Sequence, residues 1–187
     1  MQVFTGLPIS QGLAAGTIAF LGAQEAAARQ AGSPQEEQAR FAAAQRQAVE
    51  ALGALYEKAK AELGEKDAEI FSVHQLMAED EDFTDLVSAA ISDGAEASEA
   101  VRQAGEQCAA MFSAMDDDYM RERAADVRDV SARICRVLNG EAEHTISAPC
   151  LIAAEELTPS QTVQFPRELV LGMLTARGAA NSHTGIL

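Results

Sequence analysis

Residues 33 to 64 read SPQEEQARFAAAQRQAVEALGALYEKAKAELG, and this stretch decides how the middle of the chain folds. Ser33 is a good helix cap, Pro34 suits the first helical position, and Glu36 completes a capping box. Apolar residues then recur at Phe41, Ala44, Ala48, Leu52, Leu55, Ala59 and Leu63. Steps of three and four place them on one face of a helix. Gly64 follows the last of them, where a left-handed terminating residue belongs.

The same pattern continues toward the C-terminus. A second helical stretch runs from Asp67 to Ile91, with Gly94 beyond it, and the acids Glu79, Asp80, Glu81 and Asp82 predict a break or kink in its middle. A third stretch spans Glu96 to Ala114. The fourth runs from Asp116 to Leu138, with Met120, Ala124, Val127, Ile134 and Leu138 on one face, and Gly140 ends it. Asp116, Asp117 and Asp118 sit at its start, where they favour the helix dipole. Four helical stretches joined by short links pack as antiparallel neighbours.

On either side of this block the pattern changes. Residues 1–22 carry Gly6, Gly12, Gly16 and Gly22, a density that means turns, with a short strand at Thr17 to Leu21. Cys150 to Ala154 reads as a buried strand, Thr158-Pro159 as a helix start, and Leu169 to Leu174 as another strand. A loop, Ala176 to Ser182, leads to His183. The expected fold is therefore α+β: a four-helix subdomain (33–140) inserted into an incomplete α/β subdomain (1–22 with 145–187). A strand–loop–helix pattern begins near Leu187 and does not finish, so the α/β subdomain is expected to be truncated there.

Composition excludes several function classes. A formal net charge of -15 argues against direct nucleic-acid binding and is compatible with a basic partner or simple solubility. The three cysteines are dispersed, with no C-x-x-C pair, which fits a reducing compartment better than a disulfide framework. No apolar run approaches the roughly 20 residues of a membrane span, and the N-terminus lacks the features of a secretory signal. The expectation is a soluble, cytoplasmic protein.

The three histidines, His74, His144 and His183, lack metal-site spacing, and neither a G-x-S-x-G elbow nor a Walker loop is present, so no metal site is expected. His183 is distinctive in context, within Gly178-Ala179-Ala180-Asn181-Ser182-His183-Thr184-Gly185. A strand leads into a small-residue loop, and a helix is expected to open beside it. Backbone N–H groups there, with the Ser182 and Thr184 hydroxyls, could steady phosphate oxygens while the imidazole attacks phosphorus. From the residues alone, an ordinary structural histidine near a turn is the stronger reading.

Four segments carry a family resemblance: GLPISQGLAAGTIAF near the start, DDDYMRERAADVRD from Asp116 to Asp129, LTPSQT from Leu157 to Thr162, and SHTGIL at the end. Together, and in this order, they resemble enzyme I of the bacterial phosphoenolpyruvate:sugar phosphotransferase system. The resemblance covers essentially the whole chain. It implies an enzyme, a phosphoenolpyruvate-protein phosphotransferase, that takes phosphate from phosphoenolpyruvate onto His183 at Nε2 and passes it to a histidine of the small carrier HPr. Thr162 then corresponds to the residue that orients the ring, and Gly178, Asn181, Ser182 and Thr184 to the phosphate loop. The helical insertion corresponds to an HPr-docking platform through His74, Leu76, Met77, Glu81, Asp82, Phe83, Phe112, Met120 and Arg123.

For the full-length enzyme the resemblance implies Mg²⁺, a phosphoenolpyruvate-binding C-terminal domain and a homodimer. It implies no cofactor in this fragment, which alone would be inactive with phosphoenolpyruvate. Ala179 and Asn181 depart from the usual glycine and threonine of the loop. Two other readings are an acidic helical module that binds HPr or another basic partner without catalysis, and the swivelling phosphohistidine domain of a dikinase-like enzyme.

Overall fold

A computed structural model describes residues 3–22, 29–141 and 145–177. The chain divides into two compact units, Glu25–Glu143 and Met1–Gln24 with His144–Leu187.

The first unit is helical. It contains α1 (Pro34–Glu62), α2 (Glu65–Ala78), α3 (Glu81–Ser92), α4 (Ala97–Ser113) and α5 (Asp118–Asn139). The four expected stretches are thus five helices, because the break at the acidic run is a complete boundary. Asp80 caps α3, its carboxylate accepting from the Phe83 amide at 3.0 Å. The α1 capping box forms as its sequence predicts, with Ser33 and Glu36 each receiving the other's backbone N–H. Gly64 has φ 104° and Gly140 φ 64°, so both occupy backbone conformations that other residues resist.

The core follows the periodicity. Phe41, Ala44, Ala48, Leu52, Leu55 and Ala59 are buried along α1, joined by Phe71, Val87, Ile91, Val101 and Ile134 from the other helices. α4 and α5 pack most extensively, as do α1 and α2. Small residues on α4 (Ala97, Ala100, Ala104, Gly105, Ala109) are buried and allow close approach. At Gly105 a Cβ atom would fall 2.2 Å from Ser131 Oγ on α5.

The second unit is a three-stranded parallel sheet in the order β1 (Thr17–Leu21), β2 (Cys150–Ala154), β3 (Val170–Thr175), with α6 (Pro159–Gln164) and a short 3₁₀ turn, Arg167–Leu169, between β2 and β3. Thr17 pairs with Cys150 and Leu21 with Ala154. Parallel strands need a crossover connection. Between β2 and β3 it is the α6 segment, and between β1 and β2 it contains the whole helical unit. Ile146, Cys150, Ile152, Leu157 and Phe165 form the core, with Ala19 and Leu21 packed against it. The alternate residues Ile18 and Phe20 of β1, with Leu171 and Met173 of β3, are exposed.

Candidate functional site

His183 and the loop residues Gly178, Asn181, Ser182 and Thr184 lie outside the described residues, as do Ala179 and His144. The α/β unit does describe Thr162, the residue expected to orient the histidine. It sits on α6, whose start is fixed by a second capping box: Thr158 accepts from the Gln161 amide, and Gln161 accepts from the Thr158 amide. Pro159 occupies the first turn, where a missing N–H costs nothing. This fixes the orientation of the next residue that matters. Thr162 is 9% exposed, and its hydroxyl donates to the Thr158 carbonyl at 2.9 Å. A hydroxyl has one hydrogen and two lone pairs. With the hydrogen committed to Thr158, the oxygen is an acceptor toward anything that approaches it.

The nine residues expected to meet a partner divide by burial. Leu76 is 70% exposed. Glu81 and Asp82, in the first turn of α3, are also exposed, and Met77, Phe112 and Met120 are half-buried. Glu81 shares an open cleft with Gln45, Arg46 and Thr84. Two expectations need correction. Phe83 is buried and serves the helical core. His74 is fully buried, with no surface to offer a partner. Its place on α2 turns it toward α5, so an apparently polar position is internal.

What surrounds His74 is a set of ionisable groups on α5. Its Nε2 lies 3.4 Å from Asp126 Oδ1 and its Nδ1 3.8 Å from Asp129 Oδ2, longer than full hydrogen bonds. Asp126, Asp129 and Arg133 are all buried. Arg123 donates to the second oxygen of Asp126 at 2.8 Å, and 15% of its side chain is exposed. Burial pushes the Asp126 carboxyl up, but His74 and Arg123 outweigh it and hold it below the usual aspartate range. Arg123 also donates to the Tyr119 hydroxyl, with its guanidinium 4.4 Å from the ring centre. Tyr119 itself is 60% exposed.

Asp126, Asp129, Arg133 and Tyr119 were not among the expected site residues. The first three share one helix face by their spacing of three and four, but it is not the apolar face traced from Met120 to Leu138, so the pattern alone did not mark them as internal.

Among the described residues, no group of three or more His, Cys, Asp or Glu side chains could hold a metal ion, and no helix is long and apolar enough to cross a membrane. The Mg²⁺ implied for a longer protein therefore finds no ligand set among them.

Comparison with known proteins agrees with the architecture. Residues 5–123 match the family model described as PEP-utilising enzyme, N-terminal. The phosphoenolpyruvate-protein phosphotransferase of Bacillus subtilis (strain 168) is 39% identical over 155 residues, which is 81% of this chain and 27% of that protein. The protein of the same name from Geobacillus stearothermophilus is 37% identical over 191 residues, covering 97% of this chain and 32% of that one. The chain thus spans about a third of the length of these relatives or less. Among solved structures, one described as the NMR solution structure of Enzyme I (nEIt) superposes with a TM-score of 0.76 at 32% identity, over 95% of this chain and 75% of that chain. Another, described as the N-terminal domain of Enzyme 1 - Nitrogen, has a TM-score of 0.71 at 24% identity, which speaks to fold alone. Helical bundle and small parallel sheet are the shared architecture.

Proposed function

From the premise that the chain belongs to the PEP-utilising enzyme, N-terminal family, we propose that it is the phosphohistidine-carrying, partner-docking portion of a phosphoenolpyruvate-protein phosphotransferase. The observation that carries this is the similarity, over as much as 97% of the chain, to relatives of that name. In this reading phosphate originates on phosphoenolpyruvate, is held on His183, and leaves on a histidine of HPr.

The chemistry asks for little covalent machinery. The Nε2 lone pair of His183 attacks the phosphorus, the bond from phosphorus to the donor breaks, and the donor leaves with that electron pair. In the second transfer an HPr imidazole nitrogen attacks the same phosphorus, and the bond from phosphorus to His183 breaks with its electron pair returning to Nε2. Only one ring nitrogen can be the nucleophile, so the other must carry the proton and give it to an acceptor. Thr162 supports this role, because its hydrogen is already donated to Thr158 and its lone pairs accept. Donor and acceptor histidines are then matched by positioning and charge stabilisation.

The helical unit supplies the docking surface in this reading. Leu76 offers exposed apolar area, and Glu81 and Asp82 lie close by in sequence. An apolar centre with an acidic rim suits a partner with a basic rim.

The test is phosphoryl exchange with HPr. Phospho-HPr, freed of the enzyme and phosphoenolpyruvate used to make it, is incubated with this chain. Label is expected on His183, labile in acid and stable in base. Equal labelling of His183→Ala, or no labelling of the wild-type chain, overturns the assignment. Binding of HPr without transfer identifies a docking module instead.

A further inference from the structure

A line of contacts runs from the core of the helical unit to its surface. It starts at His74 on α2, which is fully buried, and crosses to Asp126 on α5 at 3.4 Å. Asp126 continues to Arg123 at 2.8 Å, and Arg123 both donates to the Tyr119 hydroxyl and covers the Tyr119 ring. Tyr119 occupies the first turn of α5, just after the Asp117 cap, and is 60% exposed.

We propose that His74 and Asp126 are positioning residues that act through Arg123 to present Tyr119 to the docked partner. This rests on the docking reading above. An exposed Tyr–Arg pair by itself holds its geometry poorly, because two long side chains lose rotamer freedom for a solvent-screened contact. Tying the guanidinium to a buried carboxylate removes most of that freedom before the partner arrives. Pre-organisation of this kind is what raises affinity without adding contacts. His74 lies against the far oxygen of Asp126 at 3.4 Å, and Asp129 flanks the other ring nitrogen at 3.8 Å. Tyrosine and arginine are also the side chains that most often dominate protein–protein binding. The partner is the HPr of the preceding section, with a basic rim facing an acidic protein of net charge -15.

The experiment titrates labelled HPr into the chain and into four variants: Leu76→Glu, Tyr119→Ala, Asp126→Asn and Tyr119→Ala/Asp126→Asn. Leu76→Glu tests docking without touching the line of contacts. We expect Leu76→Glu and Tyr119→Ala each to weaken binding about tenfold, and Asp126→Asn about fivefold. The double variant should bind no more weakly than Tyr119→Ala alone, since Asp126 acts through the residue already removed. Unchanged binding by Leu76→Glu overturns the docking reading itself. Weakening by Leu76→Glu with wild-type binding by Asp126→Asn overturns the positioning role alone, as do effects that multiply in the double variant. If Asp126→Asn is unfolded at the assay temperature, His74→Gln takes its place in the same comparison. Unfolding of both overturns the proposal in favour of a purely structural network.

Discussion

Glu37 on α1 accepts a hydrogen bond at 3.0 Å from the backbone N–H of Ala97, the first residue of α4. The Glu37 side chain is 1% exposed and also accepts from the Gly32 amide at 2.9 Å and from Arg40. Arg40 in turn reaches Glu96 at 2.8 Å and the Leu138 carbonyl at 3.2 Å. One carboxylate thus satisfies an orphan donor at a helix start and ties α1 to both α4 and the end of α5. Removing it leaves the Gly32 and Ala97 amides without their anion, while Arg40, 21% exposed, keeps Glu96 and the Leu138 carbonyl. Glu37→Ala should cost about 1–3 kcal/mol, the range for leaving a buried donor unsatisfied. Glu37→Gln, which keeps an acceptor oxygen, should cost less. Urea unfolding followed by circular dichroism measures both.

Acid should loosen the helical unit through two particular groups. Burial pushes Glu37 up, but the Gly32 and Ala97 amides and Arg40 hold it below the usual glutamate range, as His74 and Arg123 do for Asp126. Both groups therefore bind protons more weakly when folded than when unfolded. Their contribution is fully present above the unfolded values near about 4 and is lost as pH falls through the lower folded values. Between pH 6 and pH 2 the melting temperature should hold nearly level down to about pH 4 and then drop. The Glu37→Gln/Asp126→Asn variant should be less stable at pH 6 and show a flatter pH dependence, which thermal melts across that range would read directly.

Gly105→Ala should destabilise the protein, although alanine is the better helix former by about 1 kcal/mol. The new Cβ would lie 2.2 Å from Ser131 Oγ and 2.7 Å from Ser131 Cβ. Ser131 cannot easily yield, since its hydroxyl donates to the Val127 carbonyl at 2.8 Å and the residue is buried. α4 must move off α5, at about 1–3 kcal/mol for overpacking. Unfolding curves of Gly105→Ala against wild type check the sign as well as the size.

Thr162→Val tests the acceptor at the α6 site. The substitution nearly preserves shape and removes both the hydroxyl hydrogen bond to Thr158 and the lone pairs. Phosphoryl exchange with phospho-HPr should slow by about 10–100-fold, within the range for loss of an orienting group. Thr162→Ser should retain most of the rate. Equal rates in all three proteins would remove Thr162 from the mechanism.

How far these features could be read in advance depended on whether local chemistry set them. The starts of α1 and α6 were legible because each carries its own complete signal, Ser33-Pro34-x-Glu36 and Thr158-Pro159-x-Gln161. The ends at Gly64 and Gly140 were legible because only glycine is comfortable at positive φ. The full boundary at Glu79 and Asp80 was harder: an acidic run reads as a solvated helix face, and that Asp80 caps a new helix depends on the backbone turning there. The same ambiguity hid Glu37, Asp126 and Asp129, which resemble surface acids until a neighbouring helix covers them. His74 was expected to meet a partner only through the family resemblance, and nothing local marked it as internal. The ionisable groups beside it, Asp126 and Asp129, come from α5, some fifty residues later in the chain.

The parallel pairing of β1 with β2 has a consequence for how the protein assembles. Thr17 must find Cys150 with the entire helical unit threaded between them. As unstructured coil, that connection would carry the closure entropy of a very long loop, and the pairing could not begin to offset it until several contacts had formed. Once the helices have condensed, the free chain between the strands shrinks to the short segments that lead in and out of them. Helix formation is local and fast, whereas non-local strand pairing is slow. Registering the sheet is therefore expected to come late in folding, and substitutions that delay condensation of the helices will also lengthen the time for which β1 waits as an unpaired apolar strand.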